Sequence, residues 1–167
     1  MIVANDVSTM DGTCEGSPTD IESRTDLDSH ANMPVVGRNT YIFRYTGKTA
    51  SVSAFSPDYD PLKTKIVDAA VLYQCPYSGN ASLLVIMNAL YVPSMNNNLI
   101  SPFTLRLAGI DARDTPKIQL AAPGEEDHAL TIENTLRIPF QLYGIFSYFR
   151  VRNRLRNKWR PLRTCIY

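Results

Sequence analysis

The sequence predicts a mainly β protein with one short helix. From residue 24 onward, short apolar runs alternate with turn-forming residues, a pattern typical of strands. One of these runs, residues 82–92, is almost continuously apolar, as expected of a strand covered on both faces. Only residues 102–109 combine a helix start signal with a stop signal. A hydrophobic content of 44% and a charged content of 20% suit a globular domain.

Composition divides the 167 residues into three parts. Residues 1–23 carry five acidic side chains and no Lys or Arg, and few large apolar ones, so we expect a disordered acidic lead-in. Residues 24–149 are predicted to form one domain, with the clearest pattern in residues 24–109. Residues 150–167 carry seven basic side chains and no acidic one, which predicts a disordered basic tail.

The first strands of the domain are predicted from turn residues. Residues 41–45 and 49–55 flank Thr46-Gly47-Lys48, which predicts a hairpin with its turn at these three residues. Residues 56–61 contain two prolines and two aspartates, so they are predicted to form a loop.

The second half of the domain is predicted to hold the helix. Residues 65–73 and 82–92 are interpreted as strands on either side of a turn at residues 75–80. The helix begins with Pro102 in its first turn and stops at Gly109. Further short strands are predicted at residues 118–120, 129–132, 136–140 and 143–149.

The cysteines and histidines predict neither a disulfide framework nor a metal site. Cys14, Cys75 and Cys165 are odd in number and far apart, and with His30 and His128 they form no zinc-binding spacing. No apolar run is long enough for a membrane span, and the N-terminus lacks the pattern of a signal peptide. We therefore expect an intracellular, cytoplasmic protein with no metal, no cofactor and no membrane partner.

The strongest candidate for a catalytic residue is an aspartate that follows an apolar residue. Leu27-Asp28-Ser29 stands directly before a turn-like run that ends in Val35-Val36-Gly37. Asp28 in such a position is either a catalytic carboxylate or, with Ser29, a turn or capping pair. The residues alone leave both interpretations open.

Two further motifs suggest a family. Together with Leu90-Tyr91-Val92-Pro93 and Asn98-Leu99-Ile100-Ser101, the Leu27-Asp28-Ser29 motif resembles the protease domain of copia-type retrotransposon polyproteins, which are retropepsin-like aspartic proteases. The resemblance covers residues 24–109 and extends less clearly to residue 149. It implies an acid protease fold, that is, a closed β-barrel or sandwich half with one short helix.

The resemblance also implies roles for individual residues. Asp28 matches the catalytic aspartate, and Ser29 matches the hydroxyl residue that supports the active-site loop. Three residues match the segment packed behind that loop: Leu99, Ile100 and Ser101. The family also has a hairpin flap that closes over the substrate. Five residues are candidates for it: Phe55, Ser56, Pro57, Asp58 and Tyr59.

Peptide hydrolysis by carboxylates needs two aspartates that share one proton. The chain offers one convincing motif, because Pro116 follows the other formal match, Asp114-Thr115, and makes a turn the better interpretation. The expected enzyme is therefore a homodimer with one Asp28 from each subunit. Its expected substrate is a peptide segment of its own polyprotein, within a virus-like particle if the element is active.

Two features leave alternatives open. His30 stands where most of the family has glycine, so it is a surface histidine, a tolerated replacement or the mark of an inactive protein. The basic tail with Trp159 either binds nucleic acid or is simply solvated. The alternative function is thus an inactive retropepsin-like remnant of a transposable element, with nucleic-acid binding by the tail.

Overall fold

The computed structural model describes residues 2–7, 22–53, 60–133 and 135–152. These residues form twelve strands, one α-helix and one 3-10 turn at Lys117–Gln119. The helix is α1 (Pro102–Leu107), and the strands are β1 (Ile2–Val7), β2 (Glu22–Leu27), β3 (Val35–Val36), β4 (Tyr41–Val52), β5 (Leu62–Gln74), β6 (Ala81–Tyr91), β7 (Asn98–Ile100), β8 (Asp111–Arg113), β9 (Ala129–Ile132), β10 (Leu136–Pro139), β11 (Gln141–Tyr143) and β12 (Phe146–Arg152). The protein is mainly β with one short helix, which confirms that part of the prediction.

The large sheet closes on itself. Its strands follow the order β6, β3, β7, β2, β12 and β5, and β5 pairs again with β6, so these six strands form a ring. Strands β1 and β4 are added at β6 and β5, and β11 is added at β12. A second sheet of three strands has the order β10, β9 and β8.

Strands β5 and β6 form the centre of the core because both of their faces are covered. Leu84 and Ile86 belong to the main hydrophobic cluster, whereas Leu83 and Val85 pack in a second cluster with Ala70. Successive side chains of a strand point to opposite faces, so the near-continuous apolar run of β6 meets apolar neighbours on each side. The prediction that this strand is covered on both faces is confirmed.

Two local predictions are wrong. The expected hairpin turn at residues 46–48 is a bulge within β4, where the register with β5 shifts between Tyr45 and Thr49 and Gly47 has a φ of 79°. The hairpin partner of β4 is β5. The strand expected at residues 118–120 is instead the 3-10 turn, and the Ile118 side chain is 88% exposed. Without a neighbouring strand, the apolar residues there have no sheet to join.

The local signals for the helix are correct. Pro102 occupies its first turn, where the missing N–H costs no hydrogen bond. Gly109 has a φ of 78°, which suits the end of a helix, and Ile110 follows with its N–H bonded to Leu105 O at 3.0 Å. Within the described residues, no helix has the length and apolar character needed to cross a bilayer.

Strands β11 and β12, which follow Gly109 in the chain, belong to the same large sheet as the strands before it. Strand β12 lies antiparallel to β2, with Tyr148 opposite Asp26 and Arg152 opposite Glu22. This strand extends to Arg152, within the segment predicted as a tail, and residues 153–167 lie outside the described part. At the other end, β1 forms a strand within the predicted lead-in, which differs from the expected disorder for residues 2–7.

Candidate active site

The loop that carries Asp28 is held between three strands. Strand β2 runs parallel to β7 with Leu27 opposite Ile100, and the Asp28 N–H donates to Ile100 O at 3.1 Å. After the loop, β3 pairs with the other side of β7 through Val35 and Leu99. Strand β7 therefore lies between the two strands that the loop connects, which fixes both ends of the loop.

The Asp28 carboxylate is oriented by its own loop. Its Oδ1 accepts a hydrogen bond of 2.9 Å from the His30 backbone N–H, and the Ala31 N–H donates to Asp28 O at 3.3 Å. The side chain keeps 36% of its accessible surface. A carboxylate held by a backbone donor and still open to solvent can exchange protons with a substrate or a water molecule.

Ser29 and His30 lie on the exposed side of the loop. Ser29 Oγ is 3.3 Å from His30 Nδ1, and the same nitrogen is 3.7 Å from Asp28 Oδ1. The imidazole is 86% exposed. Among the described residues, the non-glycine positions with positive φ are Asn88, His128 and Glu133, so His30 is in a backbone conformation open to any residue.

Leu99, Ile100 and Ser101, the residues expected behind the loop, lie at the end of β7 and immediately after it. Ile100 is 3% exposed, and its carbonyl oxygen accepts the hydrogen bond from the Asp28 N–H. Leu99 stands between Asp26 and Val35 in the sheet. Ser101 is 1% exposed, and in the described part of the chain its hydroxyl has no hydrogen-bond partner. Of the three, Ile100 contacts the loop directly, through the hydrogen bond that it accepts from Asp28.

Asn98 joins the segments around the loop; it belongs to the Asn98-Leu99-Ile100-Ser101 motif, but the sequence predicted no role for it. Its Oδ1 accepts hydrogen bonds from the Gly37 N–H at 3.0 Å and from Thr40 Oγ1 at 2.7 Å. Its Nδ2 donates to Thr25 Oγ1 at 3.3 Å. The residue is fully buried. One amide thereby ties β2 and the exit of β3 to β7.

Gly37 is required by a close backbone approach. A Cβ at this position would lie 2.5 Å from Met95 O and 2.8 Å from Asn97 O. The next residue, Arg38, donates its N–H to Met95 O at 2.9 Å. The glycine that ends the Val35-Val36-Gly37 run therefore lets the chain pass directly beside residues 95–97.

Two other carboxylates that could be considered as partners of Asp28 are engaged elsewhere. Asp26 Oδ1 lies 2.8 Å from Arg24 Nε, and Asp26 Oδ2 accepts from Asn97 Nδ2 at 3.3 Å. Burial raises the pKa of Asp26, and Arg24 opposes this shift. Asp114, the other formal Asp-Thr match, accepts a hydrogen bond of 2.5 Å from Arg106. Both carboxylates are thus engaged by arginine side chains.

The residues expected to form the flap lie between β4 and β5 in the sequence. The two strands pair as far as Val52 and Leu62. The flap candidates Phe55, Ser56, Pro57, Asp58 and Tyr59 lie outside the described residues. Within residues 22–53, 60–133 and 135–152, no group of three or more His, Cys, Asp or Glu side chains is arranged to hold a metal ion.

The chain was compared with models of protein families, with curated protein sequences and with solved structures. None of the three comparisons found a match.

Proposed function

We propose that the protein is an aspartic endopeptidase of a copia-type retrotransposon, of retropepsin type, which acts as a homodimer on its own polyprotein. One observation carries the proposal: a half-exposed Asp28 carboxylate follows a buried strand, and its Oδ1 is held by the His30 N–H at 2.9 Å. The closed sheet and the short helix after β7 are what the resemblance to retropepsins leads one to expect.

The proposed reaction uses two copies of this carboxylate. One ionised Asp28 takes a proton from a water molecule, whose oxygen attacks the peptide carbonyl, while the protonated Asp28 of the partner subunit donates to the carbonyl oxygen. The tetrahedral intermediate then breaks its C–N bond as a proton passes to the leaving amine. Two carboxylates close enough to share a proton titrate as one coupled pair. Activity therefore requires a pH at which the pair holds a single proton.

His30 is compatible with this function because of its backbone. The backbone N–H of residue 30 supports the carboxylate, and it does so with any side chain. Since His30 lacks a positive φ and its imidazole is 86% exposed, the position does not require glycine for its conformation. The imidazole adds only a charge near Asp28 when it is protonated.

The proposal is tested by cleavage of a peptide that spans a junction of the polyprotein. The unmodified chain is compared with Asp28→Asn, which keeps the shape of the side chain but removes its charge. Asp114→Asn is the matched control, because it changes the other Asp-Thr pair of the chain. Cleavage abolished by Asp28→Asn and retained by Asp114→Asn supports the proposal, whereas equal cleavage by both variants would refute it.

The alternative is a catalytically inactive remnant of the same fold. The observation that favours it is that Asp26 and Asp114, the two carboxylates considered as partners of Asp28, are both engaged by arginines, so the site is incomplete unless a dimer forms. A folded, dimeric chain that cleaves no junction peptide would establish this alternative. The nucleic-acid binding expected of the basic tail concerns residues 153–167, outside the described part, and stays a prediction.

A further inference from the structure

A cavity of about 390 Å³ lies between the end of β5 and strand β12. The register of β12 with β5 consists of one pair, Arg152 opposite Leu72, after which β5 runs on to Gln74 and enters a turn. The cavity opens between that turn and the residues where β10 is followed by β11. Its volume is within the range of about 300–1,000 Å³ that is typical of small-molecule sites.

The cavity is separate from the Asp28 loop. Arg152, which lines it, is opposite Glu22 at the start of β2, whereas Asp28 follows the end of that strand. At about 3.3 Å per residue of extended chain, positions 22 and 28 are roughly 20 Å apart. A ligand in the cavity therefore lies away from the proposed catalytic carboxylate, and a function for the cavity goes beyond the proposed one.

One wall of the cavity is aromatic. Phe140 and Phe149 are both buried, and their rings are stacked with centres 6.3 Å apart. The Tyr73 ring meets Phe149 edge to face, also at 6.3 Å. Because the core holds these rings in place, they lose little conformational entropy when a ligand covers them.

The Tyr73 hydroxyl at this wall is unpaired. The residue is 3% exposed, and none of the described residues makes a hydrogen bond with its oxygen. Burial raises the pKa of Tyr73, and the neighbouring Cys75 acts in the same direction, so the hydroxyl keeps its proton at neutral pH. Buried polar groups are nearly always hydrogen-bonded. An unpaired donor beside a cavity is therefore suited to a ligand that supplies an acceptor.

Arg152 brings a positive charge to the cavity. Its NH1 donates to Gln74 Oε1 at 2.8 Å, and this glutamine is a neutral residue that also lines the cavity. Among the side chains that the structure describes, Arg152 has no carboxylate as an ion-pair partner. Guanidinium groups recognise carboxylates through parallel N–H donors, so the charge left at this wall suits an anionic ligand.

We propose that this cavity binds a small organic carboxylate with an apolar body. The carboxylate pairs with the Arg152 guanidinium, and the apolar body lies against Phe140 and Phe149. An acceptor atom of the ligand receives the hydrogen bond of the Tyr73 hydroxyl. The combination of an apolar wall with a few polar groups is the usual composition of a small-molecule site.

Cys75 reports whether the cavity is occupied, because it lines the cavity and is partly exposed. Burial works against ionisation of its thiol, but hydrogen bonds from Ser78 and from the Tyr77 backbone lower its pKa, so it reacts readily with iodoacetamide. Mass spectrometry of peptides follows its alkylation separately from that of Cys14 and Cys165. The probe is N-acetylphenylalanine, and its neutral match is N-acetylphenylalanine amide.

We expect the acid, at millimolar concentrations, to slow the alkylation of Cys75 and the amide to protect it far less. Arg152→Gln removes the charge and should weaken binding of the acid by at least about tenfold. Tyr73→Phe removes only the hydroxyl and should weaken it by roughly two- to tenfold. The matched control is Arg137→Gln, which changes an arginine that pairs with Glu125 and should leave protection unchanged.

No protection of Cys75 by the acid, or equal protection by the acid and the amide, would overturn the proposal. Full protection that persists in Arg152→Gln would also overturn it, because the carboxylate would then be held elsewhere. The comparison of acid with amide uses the unmodified chain, so it decides the question even if a variant fails to fold. Alkylation does not depend on cleavage of a peptide, so the result is independent of the proposed protease activity.

Discussion

The backbone N–H of His30 donates a hydrogen bond of 2.9 Å to Oδ1 of Asp28. This contact comes from the main chain, so it is independent of the side chain at residue 30. It explains how a histidine can occupy a position at which most members of the family that the sequence resembles have glycine. It also separates the effect of the backbone at residue 30 from the effect of its side chain. The backbone orients the carboxylate, and the imidazole only changes the charge around it.

His30→Gly should therefore retain cleavage. The carboxylate is held by the backbone N–H of residue 30, which glycine also supplies, and the imidazole is 86% exposed. Any change in activity should stay within about fivefold, because unit charges about 4 Å apart in water interact by roughly 1 kcal/mol. The measurement is kcat/KM against pH for both proteins. Loss of cleavage in His30→Gly would show that the imidazole itself is needed.

Asn98→Ala should destabilise the protein by about 2–4 kcal/mol, because it leaves buried partners such as the Gly37 N–H and Thr25 Oγ1 without their hydrogen bonds. Urea unfolding gives the free energy. Asn96→Ala is the control, since Asn96 is exposed, and it should change stability by less than about 0.5 kcal/mol. Equal stability of the two variants would contradict the central role of Asn98.

Gly37→Ala should cost about 1–3 kcal/mol of stability, because the new Cβ would displace the backbone at Met95 and Asn97. Gly124→Ala is a suitable control. Its Cβ would meet only Asp127 Oδ2, at an ordinary distance of 3.5 Å. Thermal unfolding of both variants checks the prediction, and a Gly37→Ala protein as stable as Gly124→Ala would show that no close approach exists there.

The buried His128 should make stability depend on pH. Its Nε2 lies 2.9 Å from Ser147 Oγ, and burial lowers its pKa below 6.5, with Lys117 acting in the same direction and Asp114 against it. The unfolded chain therefore binds a proton first as the pH falls, so stability should decrease from pH 6.5 down to the lowered pKa. Unfolding in urea at several pH values measures this slope.

His128→Asn is the matched variant for that experiment, because asparagine tolerates the φ of 56° at this position. The variant should be less stable at neutral pH, and its stability should change less between pH 7 and the lower values. The pKa of Asp26 is raised above 3.8 in both proteins. Its contribution to the pH dependence of stability is therefore the same in each. An unchanged slope would show that His128 is not the titrating group.

Local signals predicted the elements that depend on local chemistry. Pro102 and Gly109 suffice to mark the helix, because the start and stop of a helix depend on a few adjacent residues. The turn at Gly47 could not be predicted in the same way. Thr-Gly-Lys suits a hairpin turn as well as a bulge, and the choice depends on whether β5 pairs along the whole of β4.

Long-range pairing explains what the sequence did not reveal about the site. The position of Asp28 after an apolar strand is visible locally, whereas the contacts of Asn98 join residues that are 58 to 73 positions apart. The pairing of β12 with β2, which places Tyr148 opposite Asp26, spans more than half of the chain. Such pairs follow from the closed sheet and leave no periodic pattern in the sequence.

The central claim is that two copies of Asp28 act as one catalytic unit. The most direct measurement is cleavage of the junction peptide by two copies of the chain joined in a single polypeptide, with Asp28→Asn in only one copy. We expect this single substitution to abolish cleavage, because the remaining carboxylate has no partner with which to share a proton. Retention of about half of the activity would show that each copy works alone and would contradict the shared site.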